Sequence, residues 1–153
     1  MRFDQIRALD AELKSLAADE RSGLVHFLRR LDLLDRERAY AELACRSAFE
    51  YLVKELHLAE GTAWRRVNAM QLLRTFPQLE AALADGRLNL TTLGILGKLM
   101  TPENVEEVIR RGTHLTKRQA EELAVSLQPR RAPADGLRRL PERAPERAVP
   151  LLT

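Results

Sequence analysis

The chain holds one cysteine, Cys45, in 153 residues. No intrachain disulfide can form, which favours a reducing compartment. Aromatic residues make up only 5%, so a core must be built from Leu, Ala and Val. No apolar run approaches the ~20 residues needed to span a membrane. The amino-terminal MRFDQIRALDAELKSL is charged and amphipathic and lacks the apolar centre of a signal peptide. Proline is scarce, and five of the seven fall in residues 128–153. The three histidines, His26, His57 and His114, lie far apart. They form no metal-ligand spacing, so neither a metal nor a cofactor is expected. The default reading is a cytoplasmic bacterial protein with no membrane partner.

What remains is a Leu- and Ala-rich chain, 45% apolar, which points to an all-α fold. The net charge is +3, from 25 basic and 22 acidic residues. Residues 128–153 hold six Arg and three acids, which leaves 19 of each sign in residues 1–127. The body is neutral, and global charge gives no argument for nucleic acid. Locally the balance differs: between Gly61 and Leu79 stand Arg65, Arg66 and Arg74 with no acid.

Apolar residues Phe3, Ile6, Leu9, Leu13 and Leu16 recur at helical steps. Ser22-Gly23 reads as a break, and Leu24, Phe27, Leu28, Leu31 and Leu34 mark a second helix. Residues 1–35 are therefore expected to form a helical hairpin, structural or dimer-forming. Residues 36–46 are compatible with a short helix. Ser47 and Glu50 form a capping-box pattern for the next helix, with Tyr51, Leu52 and Leu56 inward. His57–Gly61 read as a turn and Thr62 as the start of a helix to about Thr75. Pro77 is expected to open a short helix that Asp85-Gly86 closes. Thr91 or Thr92 is expected to cap a helix containing Gly94 and Gly97, whose small-residue spacing allows close helix approach. Thr101-Pro102 caps a helix ending near Gly112, and Thr116 with Gln119 caps the last. The expected organisation is a hairpin over 1–35, a helical domain over 36–127, and a disordered Pro/Arg-rich tail over 128–153. A basic, proline-rich end of this kind is expected to lead into a further domain.

The stretch LVKELHLAEGTAWRRVNAMQLLR, residues 52–74, has the layout of a DNA-reading helix-turn-helix. In that motif the second helix inserts its amino-terminal residues into the major groove. Val53, Ala63 and Val67 supply apolar positions to hold the two helices. The exposed start of the second helix would carry Thr62, Trp64, Arg65, Arg66 and Asn68, with Arg74 further along. Arg donates two hydrogen bonds to guanine and Asn pairs with adenine, while Thr62 and the helix end suit phosphate. Double-stranded DNA is the expected partner.

Residues 76–124 resemble the DNA-binding core of ParB-type partition proteins, in which a helix-turn-helix is followed by shorter helices. Gly86, Leu88, Leu96, Leu115, Thr116 and Glu121 match that pattern. His57 stands where the family often has Gly, the serine-rich start of its recognition helix is missing, and so is its nucleotide-binding domain. The resemblance implies a fold and a DNA-binding mode, not partition. A resemblance over nearly the whole chain is carried by CRSAFEYLVKELHLAEGTAWRRVNAMQLLRTFP, ADGRLNLTTL and LMTPENVEEV. These blocks look like the amino-terminal helical region of a bacterial HNH endonuclease family. The implication is a targeting region without its nuclease; no catalytic residue carries over, and the chain itself is not expected to be an enzyme.

Three readings follow: a DNA-binding helical module, an interaction or oligomerisation domain using residues 1–35 without DNA binding, and an intact nuclease. The missing metal-ligand cluster argues against the third.

Overall fold

In the computed structural model, residues 1–128 are described. They form seven α-helices and two 3-10 turns, with no strand among them. The helices are α1 (Phe3–Arg36), α2 (Ala48–Lys54), α3 (Glu60–Thr75), α4 (Leu79–Ala84), α5 (Leu90–Leu96), α6 (Val105–Gly112) and α7 (Lys117–Leu127), with 3-10 turns at Ala39–Leu43 and Gly97–Leu99. Apart from Gln128, the expected disordered tail lies outside the described residues.

The hairpin expected over residues 1–35 is instead one helix of 34 residues, about 50 Å long. Ser22-Gly23 does not break it. A mid-helix glycine costs only about 1 kcal/mol, and the flanking Leu, Ala, Glu, Lys and Arg favour continuation. The carboxy-terminal half earns its place by packing: Val25, Leu28 and Leu31 are buried in the core, against α3 and α4. The amino-terminal half packs on no other helix among the described residues, and residues 1–16 are all exposed.

α4 and α5 are six and seven residues long, too short to persist alone. Burial holds them. Leu79, Leu83, Leu88, Leu93 and Leu96 are each at most 2% exposed. Gly86 closes α4 at φ +84°, a left-handed position that favours glycine. The Arg21 guanidinium of α1 lies over Gly86 and donates from Nε to the Ala84 carbonyl at 3.1 Å.

The helix starts differ from expectation in five places. Thr101 stands in the turn before α6, which begins at Val105, and its hydroxyl accepts the Asn104 N–H at 3.2 Å. Ser47 Oγ accepts the Glu50 N–H at 3.0 Å, but the Glu50 carboxylate reaches Arg46 N–H, one residue before the reciprocal partner. α3 begins at Glu60, so Thr62 is inside the first turn and does not cap it. Pro77 stands in the turn before α4, whose first residue is Leu79. Asn89, rather than Thr91 or Thr92, caps α5, and Thr92 returns the bond to Asn89 N–H at 2.9 Å. Asn has the stronger cap preference, and Thr92 at the third position completes the pair. The Thr116–Gln119 box at α7 forms as expected, with bonds of 2.9 and 3.2 Å.

Two helix pairs repeat along the chain. α2 and α6 each lead through a turn into a longer helix, α3 and α7 respectively. Each position of the first pair has a counterpart 57 residues later: Ala48 and Val105, Leu52 and Ile109, His57 and His114, Ala63 and Ala120. The apolar members of these couples are all buried. Both histidines take left-handed backbone angles, φ +57° and +56°. α5 lies between the pairs and packs against α3 and α7 alike. Gly94 and Gly97 permit the approach of α3. A methyl group at Gly94 would stand 3.2 Å from the Trp64 ring, and one at Gly97 would collide with Leu72.

Candidate nucleic-acid interface

The candidate site is the amino-terminal end of α3. α2 reaches it through Glu55 to Ala59, where His57 turns the chain and Leu58 N–H donates back to the Leu52 carbonyl at 3.1 Å. Ala63 is fully buried, and Val53 and Val67 are half-buried against the same core.

The six residues singled out from sequence divide into two groups. Thr62, Trp64 and Arg65 stand on the first two turns of α3, Trp64 exposed and the other two half-buried. Trp64 is 53% exposed, although one edge of its ring rests on Gly94. Arg65 is half-buried, its guanidinium beside Gly61, and it makes no ion pair among the described residues. Glu60 and Gly61 complete this exposed end. An acid in the first turn suits the helix dipole but reduces the pull on phosphate.

Arg66 and Asn68, expected at the exposed start of the helix, are half-buried, and Arg74, exposed further along, is ion-paired. Arg66 turns toward α1, its Cζ 4.5 Å above the centre of the Phe27 ring. Burial lowers its pKa from the ordinary arginine value, and its Nε finds no acceptor among the described residues. Asn68 faces α5 and donates from Nδ2 to the Leu93 carbonyl at 3.4 Å. Arg74 donates to Asp32 at 2.8 Å and Asp35 at 2.7 Å. Hydrogen bonds to Asp35 and Asp32 raise its pKa. The acid-free interval of sequence around Arg74 is therefore neutralised in space by α1, from some 40 residues upstream. α3 packs against α1, α2, α4 and α5, and its exposed residues are Glu60, Gly61, Trp64, Gln71, Arg74 and Thr75.

The sequence reading found α6 and α7 but not their likeness to the α2–turn–α3 pair. Its signal is the repeated His-Leu at the turn, followed six residues after each histidine by a buried alanine. In α7 the residues Lys117 and Arg118 stand exposed at the helix start, with Arg110 and Arg111 exposed on α6. Arg110 bonds Glu107 at 3.0 Å, which holds that carboxyl below its usual range.

Among the described residues, no three His, Cys, Asp or Glu side chains group to hold a metal ion. No helix there is long and apolar enough to cross a membrane. Comparison with protein-family models, curated proteins and solved structures finds no match to this chain.

Proposed function

We propose that this chain is a DNA-binding helical module that reads duplex DNA through the α2–turn–α3 pair. On this proposal it is the targeting region of an HNH endonuclease-type protein. The carrying observation is the amino-terminal end of α3, where Trp64 is exposed and the half-buried Arg65 guanidinium has no acidic partner among the described residues. A free guanidinium at the start of a helix is suited to phosphate or to guanine. The contacting set is Thr62, Trp64 and Arg65; Arg66, Asn68 and Arg74 hold α3 in place.

Trp64 is the chain's only tryptophan, so its emission reports on this surface. Titration with duplex DNA at low salt should change that emission, and added salt should reverse the change, because phosphate contacts release counterions. An emission unaltered by DNA at low salt would remove the reading. One observation favours the alternative of an interaction or oligomerisation domain without DNA binding: the apolar stripe on the free half of α1.

A further inference from the structure

The amino-terminal half of α1 carries an apolar stripe that nothing covers among the described residues. Phe3 is 68% exposed, Ile6 50%, Leu9 42%, Leu13 56% and Leu16 51%. From Ile6 to Leu16 the steps are three, four and three residues, the spacing of a two-helix seam rather than of a broad core-facing side. We propose that this stripe pairs with the same stripe of a second copy, antiparallel, about a two-fold axis near Ala11.

The register follows from the side chains. With Leu9 opposite Leu13 of the partner copy, Ile6 falls opposite the partner's Leu16, and every residue of the seam meets an apolar residue. The next layer outward places Arg2 opposite the partner's Glu20, and this recurs at the other end by symmetry. A parallel pair would set Arg2 against Arg2 and Glu20 against Glu20. The Arg2–Glu20 layer therefore favours the antiparallel arrangement. Phe3, beside the seam, falls opposite the small side chain of the partner's Ala17. Asp10 approaches its own copy near the axis, but Lys14 of the same helix already holds it at 2.8 Å. Glu12 faces its copy with no such partner among the described residues.

The area is sufficient. At these exposures the five side chains present on the order of 500 Å2 per copy, so pairing removes about 1,000 Å2, the lower bound for a specific interface. The seam also supplies the packing that a free half-helix lacks in water. The bodies begin at Arg21 and lie at opposite ends of the pair, so they do not collide. This association does not depend on DNA binding.

Sedimentation of the full chain across a concentration series should show a monomer–dimer equilibrium. Leu9→Glu with Leu13→Glu should weaken it by at least about a hundredfold, as loss of two central anchors does. Thermal unfolding of the body should be unchanged, because neither residue touches it. Glu12→Gln should tighten the dimer. In an Ile6→Cys, Leu16→Cys variant, oxidation should link position 6 of one copy to position 16 of the other. A chain that stays monomeric at high micromolar concentration would overturn the proposal. So would a dimer that survives the double glutamate variant, or crosslinks joining 6 to 6 and 16 to 16.

Discussion

The Arg66 guanidinium lies over Phe27, its Cζ 4.5 Å from the ring centre, and ties α3 to α1. The interaction is one of stacking and burial rather than hydrogen bonding, since Nε has no acceptor among the described residues. Arg66→Ala should therefore destabilise the fold by about 1 kcal/mol, the sum of a lost cation–π contact and lost stem packing. Arg66→Met keeps the stem and removes the unsatisfied N–H, so it should cost less than the alanine variant. Thermal or urea unfolding of the two variants checks the order; an equal loss in both would show that the charge, which both remove, holds the site rather than the stem.

Arg74 should behave as a structural cation. Its side chain is partly exposed, with Asp32 and Asp35 more buried than it is, so solvent screening limits its worth. Arg74→Ala should cost about 1 kcal/mol of stability. DNA affinity of the folded variant should equal that of the parent. A loss of affinity without a loss of stability would return Arg74 to the DNA surface.

Gly23 is the simplest stabilising site. It lies within α1 with no atom within 4 Å of where a methyl group would stand. Gly23→Ala should raise stability by about 0.5–1 kcal/mol through helix propensity alone. A fall in melting temperature would imply that α1 bends at Ser22-Gly23 in solution.

His57 holds a left-handed conformation that glycine adopts at no steric cost. His57→Gly should raise stability by up to about 1 kcal/mol, while His57→Val, β-branched, should lower it. His114 should respond in the same sense, but its N–H also bonds the Arg87 carbonyl at 2.9 Å, which limits how far the turn can relax. Denaturant midpoints of the glycine variants check both; a glycine variant less stable than the parent would mean that the imidazole makes a contact that outweighs the strain.

The all-α class and the α2–turn–α3 order were legible because they rest on periodicity and local caps. The Thr116–Gln119 box spans three residues, and both partners are visible in one turn of sequence. The continuity of α1 was not legible. Ser22-Gly23 is a weak local stop, and the contacts that overrule it come from α3 and α4. The site was half legible for the same reason. Trp64 and Arg65 face outward on helical phase alone, whereas the partners of Arg66, Asn68 and Arg74 are Phe27, Leu93 and the Asp32–Asp35 pair, each more than 20 residues away in sequence. An interval without acids is a statement about one dimension, and α1 supplies the acids in three.

The most direct test compares Arg65→Ala with the parent in duplex-DNA binding across a salt series. The account predicts that the parent binds with a negative slope of log affinity against log salt. Arg65→Ala should weaken binding and flatten that slope by about one unit, with thermal stability near the parent's, as expected for loss of one phosphate contact. If Arg65 reads a guanine instead, its loss should cost about 1–3 kcal/mol of binding and relax preference at one base pair. A folded Arg65→Ala protein that binds DNA as the parent does, or a parent that shows no salt-dependent binding, would contradict the assignment of DNA recognition to the start of α3.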